Sequence, residues 1–466
     1  MYQKDYQIHF VGIGGIGMSG IAEVLMGLGY RVSGSDLKSG PILERLENSG
    51  AVIYKGHKKE QVASADVVVT STAIPKNNCE VVEAEKRAVP IIQRAEMLAE
   101  IMRFKYSIAV SGAHGKTSTT AMISGIINRA GLDPTVIVGG LLNNLDTNAL
   151  HGKGDFIVVE ADESDGSFLK YSPAIAAVTN IDLEHLDFYA GIEDIKETFV
   201  KFINSVPFYG LAVLCLDNEH IQEILPKVKV RYITFGETAQ ADLQAKEISF
   251  KDTRGFFKVI YKGEPLGKIT LNLAGRHNIS NALAAVAVAL ELNIGFNTIK
   301  TALEEIEGVK RRLEIKGESN GIMVLDDYGH HPTEIKATLD AVRESWSDKR
   351  LVVVFQPHRY SRTRALFDAF TRSFYRSDQL IILPIYAASE EKIEGVDGQS
   401  LCKGIEEHGH KNVSFVRDFD ECLSMLLKSL KKGDLVLTLG AGDVYSLGEE
   451  LCKRLQGTAP AALAGT

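Results

Sequence analysis

Residues 107–120 read SIAVSGAHGKTSTT, and this stretch decides the fold of the central part of the chain. Its first four residues, Ser107–Val110, form a short and mostly apolar run, which is typical of a buried strand. Glycine and polar residues then indicate a tight loop, and a helical pattern follows. Strand, glycine-rich loop and helix in this order predict one unit of an α/β fold with a parallel sheet.

The same alternation of short apolar runs and longer helical patterns extends through almost the whole chain, and three segments each begin a new series. The predicted strands are Ile8–Val11 and Val67–Thr70; Ser107–Val110, Phe156–Glu160 and Ala174–Thr179; and Ile322–Leu325, Leu351–Phe355, Leu380–Leu383 and Leu435–Leu439. We therefore expect α/β domains over residues 1–100, 101–312 and 313–466. Between about 230 and 273, alternating strands around a Lys-Gly turn predict an antiparallel patch joined to the second sheet.

Length and composition agree with an ordinary globular protein. The chain has 466 residues, enough for roughly three domains. It is 45% hydrophobic and 24% charged, which excludes disorder, collagen and coiled coil for most of it. The net charge of −8, without a long basic run, argues against a nucleic-acid partner.

Targeting signals and cysteine usage point to the cytoplasm. No apolar run approaches the roughly 18 residues of a membrane span, and MYQKDYQIHF at the start does not resemble a signal peptide. The five cysteines are scattered and form no CxxC pair, so we expect neither a disulfide framework nor a zinc site. We expect a cytoplasmic monomer or homodimer with no membrane partner.

The loop after Ser107–Val110 predicts ATP binding. Backbone N–H groups of such a loop cradle phosphate, Lys116 meets the terminal phosphates, and the Thr117 hydroxyl reaches Mg²⁺. Val110 stands where the full motif has glycine, so Gly112 opens a shortened loop. The predicted ATP-binding loop residues are Gly112, Ala113, His114, Gly115, Lys116, Thr117 and Ser118.

Acidic residues follow two other strands of the same domain. Glu160 ends one predicted strand, with Asp162, Glu163 and Asp165 beyond it, and these form either an exposed acidic loop or a metal site. Glu160 is the preferred metal ligand because it is nearest the strand end. The next strand end carries further polar groups, of which His185 is the preferred ligand: Asn180, Asp182, Glu184, His185 and Asp187.

The first glycine loop along the chain, GIGGIG, follows Ile8–Val11 and contains the G-x-G-x-x-G spacing. Asp36 comes 19 residues after its last glycine, Gly17. This pattern alone fits a nicotinamide or flavin cofactor, any other pyrophosphate, or a turn without a ligand. Ser71 and Thr72 follow Val67–Thr70 and should lie at the same sheet edge.

Polar clusters mark the later part of the chain. Asn278 and Asn281 share one helical face, where they serve either as ligands or as helix caps. Lys310–Arg312 is a basic triplet at a domain junction, either solvated or in contact with phosphate. Two strands of the third series run into the polar segments DDYGHHP (326–332) and QPHRYSRTR (356–364). Their His and Arg residues suit an anionic or amino-acid substrate, and adjacent histidines are not a zinc pattern.

Eight ordered motifs carry a resemblance that covers essentially the whole chain: HFVGIGGIGMSGIA (9–22), SGAHGKTSTT (111–120), EADESD (160–165), TNIDLEHLD (179–187), GRHNISNALAA (275–285), KRRLE (310–314), DDYGHHPTE (326–334) and FQPHRYSRT (355–363). The set resembles the Mur ligases, ATP-dependent amino-acid ligases of peptidoglycan precursor synthesis. The resemblance implies a UDP-sugar-binding domain, an ATP-binding domain and an amino-acid-binding domain, and the nicotinamide interpretation of the first loop then falls away.

The resemblance also implies roles for single residues. The UDP-sugar would contact Gly12, Gly14, Gly15, Gly17, Asp36, Ser71 and Thr72. Mg²⁺ would be held by Thr117, Glu160 and His185. The residues implied around ATP and in catalysis are Lys116, Glu160, His185, Asn278, Asn281, Arg312 and Asp327. The incoming amino acid and the muramyl carboxylate would lie near His330, Arg359 and Arg362.

The implied reaction joins L-alanine to UDP-N-acetylmuramate through an acyl phosphate, with release of ADP and phosphate. A relative that attaches a preformed peptide or another amino acid to the same sugar is the nearest alternative. A nicotinamide-dependent dehydrogenase would leave Lys116 and the third domain without a role. A non-catalytic nucleotide-binding protein would not need the His and Arg clusters.

Overall fold

The computed structural model describes residues 5–139, 149–185, 188–306 and 311–457. The described residues group into two compact units. One is drawn from Met1–Glu247, Phe257–Ile269 and Ser280–Ile306, and the other from Ile248–Phe256, Thr270–Ile279 and Glu307–Thr466. The first unit holds one sheet and most of a second, and the second unit is built on a third.

The first sheet follows the order of an open parallel α/β fold. Its strands are β1 (Gln7–Val11), β2 (Arg31–Asp36), β3 (Val52–Lys55), β4 (Val67–Thr70) and β5 (Ile91–Gln93). Its helices are α1 (Ile16–Gly27), α2 (Pro41–Asn48), α3 (Cys79–Lys86) and α4 (Arg94–Met102). The spatial order is β3-β2-β1-β4-β5, with all pairs parallel. Because the order reverses at β1, the loops after β1 and β4 border one crevice.

The second sheet is larger and carries the antiparallel patch. Its strands are β6 (Tyr106–Ser111), β7 (Thr135–Ile137), β8 (Ala149–Leu150), β9 (Phe156–Glu160), β10 (Ile175–Val178), β11 (Leu211–Cys215), β12 (Tyr232–Gly236), β13 (Leu243–Lys251), β14 (Arg254–Tyr261) and β15 (Glu264–Leu271). The helices that follow these strands are α5 (Lys116–Arg129), α6 (Ile192–Ile203), α7 (Glu219–Ile224), α8 (Arg276–Glu291) and α9 (Phe296–Glu304). β6 lies between β9 and β10, parallel to both. The loops after these three strands therefore meet at one edge.

The predicted Lys-Gly turn joins β14 to β15. Lys262 and Gly263 have φ values of +49° and +87°, the left-handed conformation of a two-residue hairpin. A connection this short requires antiparallel strands, which confirms the prediction for this patch.

The third sheet is buried on both faces. Its strands are β16 (Glu314–Ser319), β17 (Ile322–Asp327), β18 (Leu351–Phe355), β19 (Gln379–Ile382), β20 (Val413–Phe415) and β21 (Leu435–Leu439), in the order β16-β17-β21-β18-β19-β20. Its helices are α10 (Pro332–Ser345), α11 (Tyr360–Ala365), α12 (Phe367–Thr371), α13 (Gly398–Glu407), α14 (Phe419–Ser429) and α15 (Val444–Gly457). In β18, Val353 and Phe355 join one apolar cluster while Val352 and Val354 join another. This two-sided burial is typical of central parallel strands.

The predicted strands are present, and two features of the third sheet differ from expectation. β16 pairs antiparallel with β17 and was not predicted, because a bulge near Gly317 interrupts its side-chain alternation. The strand expected to end at Leu325 continues through Asp327. It does so because Asp326 is buried there and accepts a 2.7 Å hydrogen bond from the Thr438 hydroxyl of β21.

Three short 3₁₀ turns complete the elements, over Lys59–Val62, Ser167–Lys170 and Leu225–Lys227. Across the described part of the chain, no helix combines the length and the hydrophobicity that crossing a membrane requires. The domain boundaries at 100/101 and 312/313 stay predictions.

Candidate functional site

The first glycine loop connects β1 to α1 and is held by the end of β2. The N–H groups of Gly12 and Ile13 donate to the Ser35 carbonyl at 2.8 and 3.0 Å. The Gly14 N–H donates to Asp36 Oδ2 at 2.9 Å. A Cβ on Gly14 would lie 2.9 Å from the same oxygen, so a side chain there would displace the carboxylate. Asp36 thus contacts the loop itself.

A cavity of about 980 Å³ lies at the carboxyl end of β4. Ser71 and Thr72, both selected from the sequence, line it. Three basic side chains, Lys76, Arg94 and Lys170, and two acidic ones, Glu85 and Asp165, also line its wall. Arg94 additionally packs against Gly17 of the glycine loop, and Gly15 is the residue before α1. The size of the cavity and its slight excess of basic side chains suit an anionic ligand as large as a nucleotide sugar.

The second glycine loop, between β6 and α5, can be made only with glycine at two points. Gly112 and Gly115 have φ values of +136° and +83°, a region that strains other residues. A Cβ on Gly112 would collide with the Thr179 hydroxyl, and a Cβ on Gly115 with Asn281 Oδ1. Asn281 of α8 therefore lies directly against the loop.

The Lys116 ammonium lies folded over its own loop. Its Nζ donates to two loop carbonyls, at 2.7 and 3.3 Å, and to Glu163 Oε1 at 2.9 Å. Burial lowers the pKa of Lys116, but the carboxylates of Glu163, Asp162 and Glu160 raise it, and the net shift is upward. The side chain is charged and has three acceptors that a phosphate would replace.

Thr117 and Glu160 form the pair expected of a magnesium site. The Thr117 hydroxyl donates to Glu160 Oε2 at 2.8 Å, and the Gly139 N–H donates to the same oxygen at 3.0 Å. Glu160 ends β9, so the strand sets its position beside the first turn of α5. Hydroxyl and carboxylate oxygens are ligands that Mg²⁺ prefers.

His185 belongs to a neighbouring acidic group. Its Nε2 lies 3.4 Å from Glu163 Oε1 and 3.4 Å from Glu184 Oε2. Burial lowers the pKa of His185, whereas Glu163 and Glu184 raise it, and the net shift is upward. Side-chain atoms of Asp162, Glu163 and His185 come close enough together to hold one metal ion.

The metal ligands inferred from the resemblance thus fall into two groups. Thr117 bonds with Glu160, while His185 lies with Asp162 and Glu163. Glu163 Oε2 is buried, and among the described residues it has no hydrogen-bond partner. A buried carboxylate oxygen without a donor fits a cation, so the residues present suit Mg²⁺.

Asn180 holds the middle of the phosphate loop. Its Oδ1 accepts the His114 N–H at 2.8 Å, and its Nδ2 donates to the His114 carbonyl at 2.9 Å. The His114 ring in turn lies 3.1 Å from Asp182 Oδ2. Asn278, by contrast, turns back to donate to the Ala274 carbonyl at 2.7 Å, which is the turn chemistry left open as its alternative.

The junction before the third sheet holds two arginines in different surroundings. Arg311 donates to Asp326 Oδ2 at 3.0 Å, and its guanidinium lies over the rings of Tyr328 and Tyr445. Arg312 lies over Tyr328 and donates to a Glu334 carboxylate oxygen at 3.4 Å. Arg311 is thus the structural member of the pair, and Arg312 is bound less closely.

Asp327 lies at the end of β17 in a fully buried site. It accepts from the N–H groups of Leu313 and Gly329, both at 2.8 Å, and from the Thr338 hydroxyl at 3.1 Å. Burial raises the pKa of Asp327 to about 6, although Arg312 lowers it. Asp327 therefore stabilises the backbone on both sides of the strand end.

Two histidines face each other at this edge. The rings of His330 and His358 lie 5.8 Å apart, and His358 stacks on Tyr386 at 5.5 Å. Burial lowers the pKa of His330 to about 3 and that of His358 to about 4. Neutral His358 accepts at Nδ1 from Arg362 at 3.2 Å, so both rings are uncharged near neutral pH.

Arg359 precedes α11 in a strained backbone conformation. Its φ is +70°, which is unusual for a residue with a side chain. The strain is held by the Tyr386 carbonyl, which accepts the Arg359 N–H at 2.9 Å, and by Glu390, which accepts from the Ser361 N–H and hydroxyl at 3.0 and 2.6 Å. This backbone conformation places the cationic side chain of Arg359, which is 44% exposed, at the same sheet edge as Arg362.

The sequence did not single out several residues that complete these groups: Tyr328, Glu334, Tyr386 and Glu390. Tyr386 and Glu390 belong to another segment than the motif they support, and no spacing rule connects them to it. Tyr328 and Glu334 lie inside the motif DDYGHHPTE, but its His residues drew the prediction. For Glu334, the only signal in the sequence is its place as the third helical residue of a capping pattern. In the structure, its carboxylate accepts from the backbone N–H groups of His330 and His331. Asp187 and Lys310 lie outside the described residues.

Three family models together match most of the chain. They are described as "Mur ligase family, catalytic domain" at residues 7–106, "Mur ligase middle domain" at residues 110–289 and "Mur ligase, glutamate ligase domain" at residues 311–442. They follow one another in the order of the three sheets.

Curated relatives and solved structures agree with these matches. A UDP-N-acetylmuramate–L-alanine ligase of Desulforapulum autotrophicum is 71% identical over 98% of this chain and 100% of its own. The crystal structure of a UDP-N-acetylmuramate-alanine ligase of Thermotoga maritima is similar with a TM-score of 0.78 and 28% identity, over 97% of this chain and 100% of that one. A murein peptide ligase of Psychrobacter arcticus has a TM-score of 0.65 at 25% identity, covering 97% and 99%.

Proposed function

Because the chain belongs to the Mur ligase family, we propose that it joins L-alanine to UDP-N-acetylmuramate at the expense of ATP. The products are UDP-N-acetylmuramoyl-L-alanine, ADP and phosphate, in peptidoglycan precursor synthesis. The observation that carries the chemistry is Lys116, a charged ammonium among carboxylates on a glycine loop. The 71% identity to an alanine ligase supports alanine over a peptide as the second substrate.

ATP binds at the loop from Gly112 to Ser118. Its phosphates replace the loop carbonyls and Glu163 as partners of Lys116. Asn281 lies against the loop at Gly115 and supports the nucleotide there. By family resemblance, Asn278, Arg312 and Asp327 complete the groups that act on ATP.

Thr117, Glu160 and His185 hold Mg²⁺ in this proposal. Bound Mg²⁺ neutralises negative charge on the phosphoryl group during its transfer. The Thr117–Glu160 pair fits the ion through its oxygens, and the partnerless Glu163 Oε2 adds a further candidate ligand.

UDP-N-acetylmuramate binds at the first glycine loop and the adjoining cavity. Gly12, Gly14, Gly15 and Gly17 let the pyrophosphate approach the backbone, and Asp36 keeps the loop in shape. Ser71 and Thr72 contact the ligand from the cavity wall. Basic side chains outnumber acidic ones in the cavity lining, which supports an anionic ligand.

Alanine and the muramyl carboxylate are recognised by His330, Arg359 and Arg362. Guanidinium groups bind carboxylates with two parallel hydrogen bonds. The His358 ring accepts a hydrogen bond from the Arg362 guanidinium and thereby fixes its orientation. The neutral rings of His330 and His358 avoid repelling the cationic amino group.

The reaction takes two steps. A carboxylate is a poor electrophile, so one oxygen of the muramyl carboxylate first attacks the γ-phosphorus of ATP, and ADP leaves. Lys116 stabilises the charge that moves to the leaving oxygen. The ammonium group of alanine loses a proton to solvent, and the resulting neutral amine attacks the acyl carbon. The tetrahedral intermediate then expels phosphate and releases a second proton to solvent as the amide forms.

Phosphate release from Mg²⁺–ATP tests this proposal. We expect release only when both UDP-N-acetylmuramate and L-alanine are present. Release with the UDP-sugar and a peptide, but not with alanine, would identify a peptide-attaching relative. Absence of release with every combination of UDP-sugar, amino acid and peptide would contradict a ligase activity.

We further propose a cytoplasmic monomer or homodimer that acts on small molecules, without nucleic acid or membrane. All five cysteines are unpaired, as thiols are in a reducing compartment. Light scattering of the purified protein measures the oligomeric state directly.

A further inference from the structure

A buried polar cluster lies beneath the first glycine loop. It consists of His9 on β1, Ser35 on β2, His57 after β3 and Glu80 on α3. Glu80, His9 and Ser35 are completely buried. Ionisable groups are rarely found at such positions unless partners satisfy them.

Glu80 is the centre of this cluster. Its Oε2 accepts from the Ser35 hydroxyl at 2.6 Å and lies 3.0 Å from His57 Nδ1. Its Oε1 lies 3.7 Å from His9 Nε2, and each of these two atoms is without a hydrogen-bond partner among the described residues. Burial raises the pKa of Glu80, but His9, Ser35 and His57 lower it, and the net shift is downward. The carboxylate is therefore charged, and its shortest contact is with the Ser35 hydroxyl.

Ser35 connects this carboxylate to the glycine loop. Its carbonyl accepts the N–H groups of both Gly12 and Ile13, so its backbone position sets the start of the loop. Its hydroxyl donates to Glu80 and also lies 2.9 Å from His57 Nδ1. Movement of Ser35 would therefore move two successive loop amides together.

The helix that carries Glu80 also reaches the ligand cavity. Val81 and Glu85 of α3 line that cavity, while Glu80 is completely buried and bonds with Ser35. One short helix thus connects the cavity wall with the support of the loop. A purely structural core position would need no carboxylate, because an apolar side chain of similar size fills the space without a charge.

We propose that Glu80 is a positioning residue for UDP-sugar binding, acting through Ser35 to hold the loop Gly12–Gly17 in its binding conformation. This inference rests on the proposed assignment of that loop to the UDP-sugar. Glu80 contacts no substrate in this account. Its effect should be confined to UDP-N-acetylmuramate, because the ATP loop belongs to a different sheet.

The test compares Ser35→Ala, Glu80→Gln and the double variant in the full-length protein. Ser35→Ala removes only the hydroxyl and should raise the KM for UDP-N-acetylmuramate about fivefold, the scale of the net contribution of one ordinary hydrogen bond. Glu80→Gln keeps the shape and one acceptor, so a rise of about threefold is expected. The KM for ATP and kcat should change less than about twofold. The double variant should resemble Ser35→Ala, because both changes break the same link.

Glu83→Gln is the matched control. Glu83 lies on the same helix, and in the contacts described it pairs only with Arg87 at the surface. The Glu83→Gln variant should therefore have the KM values of the unchanged protein. Thermal unfolding of each variant is measured in parallel. Lower stability with an unchanged KM for the UDP-sugar, additive effects in the double variant, or an equal rise of the KM for ATP would each overturn the inference.

Gly14→Ala separates this inference from the assignment of the loop. If Gly14→Ala raises the KM for the UDP-sugar but Ser35→Ala does not, the loop assignment holds and the role of Glu80 is wrong. If neither changes it, the loop does not bind the UDP-sugar, and both fail.

Discussion

The two glycine loops of the first unit share a strand–loop–helix design but differ in what surrounds them. In the first loop, the N–H groups of Gly12, Ile13 and Gly14 are already bound by the neighbouring strand end. In the second, Lys116 and Thr117 face carboxylates from other strand ends. The first loop is a fixed support, and the cation beside it, Arg94, comes from another helix. The second loop supplies its own cation, Lys116, beside metal-binding oxygens.

This difference separates binding from chemistry. A loop held by its own sheet presents a rigid surface for a pyrophosphate that is not cleaved. A loop with an ammonium and carboxylates for a metal can stabilise charge that moves during phosphoryl transfer. Similar glycine spacing therefore does not mean similar function, and the residues at adjacent strand ends decide.

The largest effect is expected for Lys116→Ala. Removing the ammonium should lower kcat at least about a hundredfold, on the scale of deleting a transition-state charge stabiliser. Phosphate release measures turnover. Arg129→Ala is the control, since Arg129 is exposed at the other end of the same helix, where it pairs with Glu305. Near-normal turnover of Lys116→Ala would contradict the distinction between the two loops.

Glu160→Gln should mainly change the metal requirement. The neutral amide is a weaker Mg²⁺ ligand, so the Mg²⁺ concentration for half-maximal turnover should rise about tenfold or more. Chelation of the metal should abolish turnover of the unchanged protein. Asp155→Asn, just before the opposite end of β9, should leave the Mg²⁺ dependence unchanged. An unaltered Mg²⁺ profile for Glu160→Gln would remove Glu160 from the metal site.

Arg359→Ala tests a third region that should affect neither loop. Loss of the guanidinium should raise the KM for alanine or the UDP-sugar about tenfold, with ATP binding intact. Arg364→Ala, an exposed arginine on α11, serves as the control. Weaker ATP binding as the sole consequence of Arg359→Ala would show that this arginine acts elsewhere.

Asp36→Asn should have a smaller effect, confined to the first loop. The amide retains an oxygen that can accept the Gly14 N–H but loses the charge, so the KM for the UDP-sugar should rise about threefold. Asp66→Asn is the control, because Asp66 is far from the loop in sequence and its carboxylate accepts the Gln7 N–H at the start of β1. This variant should leave the KM for the UDP-sugar unchanged. A change in kcat without a change in KM would mean that Asp36 does more than support the loop.

The smallest effect is expected from pH at the third sheet edge. Burial holds the pKa of His330 near 3 and that of His358 near 4, so the KM for alanine should show no step near pH 6.5. The unfolded chain takes up these protons near pH 6.5 and the folded chain does not, so stability should fall as pH drops below 6.5. Thermal unfolding between pH 4 and 7 measures this, and His330→Asn should flatten the dependence. A step in the KM at pH 6.5 would show that a histidine there titrates normally.

Much of the fold follows from local pattern. Val67–Thr70, Phe156–Glu160, Leu351–Phe355 and Leu435–Leu439 were predicted with the bounds that the structure has. They are short apolar runs between loops, where burial on both faces leaves little ambiguity. The edge strand β16 escaped because its bulge breaks the alternation of side chains.

The site was predictable only where strand ends carry it. Glu160 ends β9, and Lys116 and Thr117 begin the helix that follows β6. The order of strands brings these two strand ends together. Glu80 and Glu390 come from other elements, 45 and 29 residues from the hydroxyl groups they bind. Partners at such separations leave no periodic signal, because only the folded sheet brings them into contact.

Titration calorimetry of UDP-N-acetylmuramate with the unchanged protein, Gly14→Ala and Lys116→Ala tests the division between the loops most directly. The account predicts that Gly14→Ala weakens UDP-sugar binding, because a Cβ there would displace Asp36. Lys116→Ala should bind the UDP-sugar as tightly as the unchanged protein while losing turnover. Equal loss of UDP-sugar binding in both variants, or loss only in Lys116→Ala, would contradict the separate roles of the two loops.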